Sequence, residues 1–276
     1  MLSRTKSLSE TLRPVTFLGI QVNPITMAEV IELIRETIAN GEKRVIANHN
    51  LHSLYLYYQR PQVRDFFKKA AWTHIDGMAM VVLARLYGHK IRHDQRVTYV
   101  DLTAPLMQSA IENEWRIFYV GSKPGVAERG ASRLRQTYPG LRIRSTNGYF
   151  GSDRLSAENH SIIKAIQDYK PNILMVGMGM PRQELWIDEH LAQISANVIL
   201  PVGATIDYVA GIVPTPPRWS GRLCLEWAFR FAAEPKRLWR RYLIEPILVL
   251  KLMLWGWAHQ FGKTVTHETS LEVKEQ

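Results

Sequence analysis

From Trp115 to Asp207 one pattern repeats: a short apolar run, a loop holding glycine or a small polar residue, then a longer helical stretch. The apolar runs are Arg116–Val120, Leu141–Ser145, Ile173–Val176 and Val198–Val202. Between them lie a helix ending at Tyr138, a helix over Ser156–Tyr169 and a helix opened by Pro181. Strands and helices alternating at this spacing predict an α/β fold, with a mostly parallel sheet covered by helices on both faces. Such sheets collect ligands beyond the carboxyl ends of their strands. The alternation therefore directs the search for a site to the strand-end loops.

Residues before Trp115 follow the same logic less regularly. Val15–Val22 reads as a strand or hairpin arm. Thr26 is a helix N-cap for Met27–Asn40, where Val30, Ile31, Ile34 and Ile38 share one face and Gly41 is a stop. A strand over Arg44–Ala47 ends in Asn48-His49-Asn50, followed by helical pieces Leu51–Tyr58 and Arg60–Lys69. Ala71–Ile75 is a strand running into Asp76-Gly77, and Met78–Tyr87 is an apolar helix. His89–Arg96 is a polar surface loop, and Val100–Asn113 is a further helix. The first fourteen residues are polar, lack the apolar core of a signal peptide and read as a flexible tail.

Five strand-end loops result: Asn48–Asn50, Asp76-Gly77, Gly121–Lys123, Gly177–Gln183 and Gly203–Asp207. In Pro171–Trp186, a buried strand meets a turn with Gly177 and Gly179, and Pro181 suits the first turn of the next helix. A helix N-terminus of this kind favours an anion such as a phosphate, within reach of Gln183 and Glu184. A plain strand–helix turn without a ligand is the other reading. Asp76, between a strand end and an apolar helix, is placed for general base catalysis or, equally, for capping that helix. Asn48, Asn50, His49 and His52 are hydrogen-bonding candidates, with the two histidines read as ordinary loop residues.

Beyond the proline-rich stretch Val213–Arg218 the composition changes. Residues 218 to 263 carry nine Lys and Arg against three acids, and hold five of the eight tryptophans. The net charge of +10 calls for anionic partners. A basic helical segment rich in Trp and Leu fits an anionic membrane surface better than nucleic acid, for which no recognition motif is present. The run Tyr242–Ala258 is interrupted by Glu245, Pro246, Lys251 and Gly256, so it is read as lying on a membrane rather than spanning it. One cysteine, Cys224, excludes an internal disulfide. No zinc-ligand spacing, Asp-x-Asp or Gly-x-Ser-x-Gly elbow occurs, so neither a bound metal nor covalent catalysis is expected.

Taken together, several motifs in order resemble the WecG/TagA/CpsF glycosyltransferases. They are Asn48-His49-Asn50-Leu51-His52, His74-Ile75-Asp76-Gly77-Met78, Arg96-Val97-Thr98, Tyr119-Val120-Gly121-Ser122, Gly177–Glu184, Val202–Asp207 and Leu225-Glu226-Trp227 with Arg230, Glu234-Pro235, Arg237 and Arg240. The resemblance implies a Rossmann-like domain over 15–212, a hinge over 213–218, a membrane-associating helical appendage over 219–263 and a polar tail. It implies an inverting transferase that moves a sugar from a UDP-sugar to a polyprenyl-diphosphate-linked saccharide. Such an enzyme works peripherally at the cytoplasmic face of the inner membrane, without a metal or other cofactor. Asp76 would be the general base. Asn48, Asn50, Gly121, Gly177, Gly179, Gln183, Glu184, Gly203 and Asp207 would hold the nucleotide sugar. Arg96, Arg230, Arg237 and Arg240 would meet phosphate charge.

Asn48, Tyr99 and Thr215-Pro216 stand where many relatives carry Thr, Gly and Arg-Ala. The donor sugar is left between N-acetylmannosamine and glucose, with a lean toward exopolysaccharide synthesis, and a homo-oligomer is left open. Two other classes remain at this point. A nicotinamide oxidoreductase would need the full Gly-x-Gly-x-x-Gly pattern, which the chain lacks. A non-catalytic membrane-bound assembly component would release no UDP.

Overall fold

A computed structural model describes residues 7–151, 156–216, 220 and 225–254 of the 276. Six parallel strands form one sheet: β3 (Arg44–His49), β4 (Trp72–Ile75), β5 (Arg116–Gly121), β6 (Arg142–Thr146), β7 (Ile173–Gly177) and β8 (Val198–Pro201). They lie in the order β4-β3-β8-β7-β5-β6, and a separate antiparallel hairpin pairs β1 (Val15–Phe17) with β2 (Ile20–Val22). The Rossmann-like α/β expectation is met. The sheet order is the information that local pattern does not carry. β3 and β4 from the first half meet β7, β5 and β6 from the second half only through β8.

The pleat sorts alternate side chains to opposite faces. Ile117, Tyr119, Ile173, Met175, Val198 and Leu200 join one core cluster, built with the helices α2 (Met27–Ala39), α6 (Tyr99–Glu112) and α7 (Val126–Thr137). Phe118, Val120, Leu174, Val176 and Ile199 join the other, with α4 (Pro61–Lys69), α8 (Ala157–Tyr169) and α9 (Arg182–His190). Trp186 of α9 is buried there, its indole N–H donating to Asn159 at 2.8 Å. A third cluster unites the hairpin with α3 (Leu51–Gln59) and α5 (Met78–Leu86).

Local signals account for most helix starts. Thr26 and Glu29 form a capping box at α2, as do Asn50 and Ser53 at α3. The N-terminal stretch departs from the expected tail. Residues Leu8–Thr11 make a helical turn, α1, whose first N–H groups donate to the Glu36 carboxylate, from Leu8 at 2.8 Å and Ser9 at 3.2 Å. Leu8 and Leu12 then pack on the first core cluster. His49, read as a loop residue, is instead the buried last residue of β3, and His52 sits in the first turn of α3.

After α10 (Thr205–Val209), the described chain resumes with α11 (Glu226–Ala233), α12 (Pro235–Trp239), a π-helical turn Arg240–Ile244 and helix through residue 254. Leu238 and Val249 are buried, and Val249 packs with Leu252 and Met253 on the hairpin–α5 cluster. Part of the proline-rich stretch, Cys224, Trp255, Trp257 and the polar tail lie outside the described residues. Among the described residues no helix is long and apolar enough to cross a membrane.

Candidate active site

A cavity of about 560 Å³ opens over the carboxyl ends of β3, β4 and β8, where the two halves of the sheet meet, and the C-terminal helices roof it. Asp76 lies on its wall, one residue beyond β4. Its backbone N–H donates to the His49 carbonyl at 2.9 Å, tying the two strand ends together. Capping does not explain this residue: Gly77, not Asp76, is the N-cap of α5, and no side-chain cap hydrogen bond is made there. Asn50 fixes the carboxylate. Its Oδ1 accepts the Ser53 N–H at 3.0 Å in the helix cap, so its amide nitrogen points the other way and donates to Asp76 Oδ2 at 3.4 Å. Burial raises the Asp76 carboxyl above the ordinary carboxylate range, while the Asn50 hydrogen bond and the charges of Arg230, Arg241 and Arg96 pull against it. The result is a proton acceptor more basic than a solvated Asp.

On the other side of the cavity, Gly179 and Gly203 have φ of +81° and +57°, values that a side chain resists. Gln183 joins their two loops. Its Oε1 accepts from the N–H groups of Gly179 and Gly203, each at 3.2 Å, and its amide donates to Glu184 Oε1 at 2.8 Å. Gly121 and Gly177 serve closeness rather than φ. A Cβ on Gly121 would strike the Gly177 carbonyl, and one on Gly177 would meet the Gly203 carbonyl and the Tyr119 hydroxyl.

Asn48, Asn50, Asp76, Arg96, Gly179, Gln183, Gly203, Arg230, Arg237 and Arg240 all border this one cavity; Gly121, Gly177, Glu184 and Asp207 do not. Glu184 lies behind Gln183, buried. Asp207 belongs to a neighbouring patch with Ser122 and Lys123, where burial raises its carboxyl and a Ser122 hydrogen bond opposes that rise.

The arginines divide by partner. Arg96 is engaged by two carboxylates, donating to both Glu226 oxygens at 3.1 Å and to Asp101 Oδ2 at 3.1 Å. It thereby pins α11 to the start of α6. Arg237 is paired with Glu234 one turn earlier. Arg230 lies over the Tyr208 ring at 5.8 Å, and its buried Nε has no hydrogen-bond partner among the described residues. Arg241, absent from the sequence expectations, also borders the cavity; burial and then the like charge of Arg230 lower its affinity for its proton. Glu245 is held by His52, whose ring N–H donates to Oε2 at 2.8 Å. Helical spacing puts 241 nearer the shared face of 230 and 237 than 240, so a signal for Arg241 was present in the sequence. Asp101 and Glu226 are taken up by Arg96 and Glu245 by His52, which leaves Arg230, Arg240 and Arg241 without an ion-pair partner among the described residues, on the same cavity as Asp76.

The family model described as the Glycosyl transferase WecG/TagA/CpsF family matches residues 15–262. The chain belongs to this family. Similar curated proteins include the N-acetylglucosaminyldiphosphoundecaprenol N-acetyl-beta-D-mannosaminyltransferases of Staphylococcus aureus strains MRSA252 and NCTC 8325 / PS 47. Each is 26% identical over 248 residues, covering 86% of this chain and 91% of the relative. As a WecG/TagA/CpsF member the chain is a glycosyltransferase. The oxidoreductase and non-catalytic readings fall with that assignment. Among the described residues of this family member, no group of three or more His, Cys, Asp or Glu is placed to hold a metal ion.

Proposed function

We propose that this glycosyltransferase moves a sugar from a UDP-sugar to the hydroxyl of a polyprenyl-diphosphate-linked saccharide, with inversion and with Asp76 as general base. The observation that carries this reading is a half-buried, Asn50-oriented carboxylate facing Arg230 and Arg241, which have no ion-pair partner among the described residues, across one cavity of about 560 Å³. That volume suits a nucleotide sugar. In the reaction the acceptor hydroxyl gives its proton to Asp76 as its oxygen bonds to the anomeric carbon. The bond from that carbon to the donor phosphate breaks, and its electron pair leaves with UDP. Arg230 and Arg241 meet the charge that develops on the diphosphate, with Arg240 nearer the rim. The Gly179 and Gly203 loops, pinned by Gln183, form the donor side.

The name of the Staphylococcus aureus relatives describes transfer of N-acetylmannosamine to N-acetylglucosaminyl-diphosphoundecaprenol. N-acetylmannosamine is therefore the first donor to test, and glucose the second. A lipid-linked acceptor places the enzyme at a membrane surface, which we assign to the cytoplasmic face of the inner membrane. The C-terminal helices support contact with a membrane surface: Trp227, Phe229, Trp239, Leu243, Ile247 and Leu250 are exposed alongside the basic residues. The decisive assay offers a panel of UDP-sugars and short-chain polyprenyl-diphosphate saccharides to wild type and Asp76→Asn. The variant is expected to lose transfer by about 10²–10⁴-fold while still binding UDP. Full turnover by Asp76→Asn would remove Asp76 from the role of base.

A further inference from the structure

We propose that Glu184, in its protonated form, positions Gln183 and, through it, the two donor-side loops. Glu184 is 1% exposed, deep behind the cavity wall. Its Oε1 accepts the Gln183 amide at 2.8 Å, and its Oε2 has no hydrogen-bond partner among the described residues. No Lys, Arg or His forms an ion pair with it among those residues. A buried carboxylate with so few donors and no cation beside it is costly, and such a group holds its proton to higher pH than a solvated one.

The surroundings are consistent with this. β7, on which α9 packs, carries no charged residue. Of the charged residues of α4, Lys69 is engaged by Asp188, Asp65 by Lys68, and Arg64 lies over Tyr57. The titratable group that faces Glu184 from α6 is Tyr99, itself buried, and its hydroxyl donates to the Ile46 carbonyl. Burial pushes the Glu184 carboxyl up to about 7, with the hydrogen bonds from the Gln183 amide and from its own backbone N–H pulling the other way.

The consequence runs through Gln183. Its Oε1 holds the Gly179 and Gly203 N–H groups, so the carboxamide must stay in one orientation. A neutral Glu184 supplies a fixed acceptor for the amide N–H without placing a bare charge behind the diphosphate seat. Ionisation would put a negative charge there and weaken the seat for an anion. Glu184 is thus a positioning residue with a pH-dependent effect on donor binding.

The inference rests on reading these loops as the donor side, and the test separates the two ideas. Glu184→Gln reproduces the shape and donor of the neutral acid and cannot ionise. In melting curves without ligand, wild-type stability relative to Glu184→Gln should be highest below pH 4.5, fall between about 4.5 and 7, and stay level above. The total relative shift should be roughly 5–10 °C. In UDP calorimetry the two proteins should bind alike at pH 6. At pH 8.5 wild type should weaken by up to about 30-fold relative to Glu184→Gln, the ratio cancelling other titrations. Glu184→Ala should weaken binding at both pH values. A melting difference that stays flat with pH, or Glu184→Gln binding as poorly as Glu184→Ala, overturns the proposal. The melting shift without UDP binding in any protein would instead count against the donor-side reading.

Discussion

Arg96 is the joint between the sheet and its C-terminal roof, and Arg96→Gln is expected to loosen that roof without unfolding the sheet. The guanidinium is 10% exposed and each of its partner carboxylates, Asp101 and Glu226, 36%. An exposed pair contributes about 1 kcal/mol or less, while breaking a buried one costs roughly 3–5 kcal/mol. This cluster lies between, so about 2 kcal/mol is the working figure. Asp101 keeps the Thr98 hydroxyl at 2.9 Å, but Glu226 has no other hydrogen-bond partner among the described residues. The loss therefore falls on α11. About 2 kcal/mol corresponds to a roughly 30-fold rise in the undocked population. Hydrogen exchange of amides 226–239 reads that population directly, with β5 and β7 amides as an internal control. Glu226→Gln should give a similar acceleration, and the double variant little more than either single one. Wild-type exchange in Arg96→Gln, or strictly additive single effects, would show that the cluster does not hold the roof.

Two further outcomes follow from the charges around the cavity. Because burial raises Asp76 above its ordinary 3.8, the stability it offers in protonated form is present below that value and lost as pH rises through the folded pKa. Asp76→Asn is therefore expected to melt higher than wild type at pH 7–8, and an equal or lower melting temperature would contradict a raised carboxyl. Arg241→Gln should weaken UDP affinity by about tenfold or more, and Arg237→Gln by less, since Glu234 already engages Arg237. Calorimetry giving the reverse order would move the diphosphate toward the rim.

Much of the fold was legible because its signals are local. The strand runs after Trp115, the Thr26 cap and the turn at Gly177–Gly179 all lie within a few residues of what they determine. Asp76 was legible as a strand-end carboxylate, although only the Gly77 cap and the Asn50 cap geometry separate it from an ordinary helix start. What was not legible depends on partners far along the chain. Arg96 looked like a phosphate ligand, yet it meets Glu226 across 130 residues. Gln183 looked free to touch a ligand, yet its oxygen is held by Gly203. Arg241 was overlooked beside Arg240, although both border the cavity and helical spacing from Arg230 and Arg237 favours Arg241.

The central position of β8 has a consequence for how the protein is made. Among the described residues Val198–Pro201 is the last strand to leave the ribosome, yet it is the one that joins β3 to β7. Until it arrives, the nascent chain holds two partial sheets with inner edges open and apolar faces uncovered. Those edges are templates for wrong pairing with other chains. Synthesis through β8 without delay, or a chaperone that covers β3 and β7 in the meantime, is thus part of what the strand order demands.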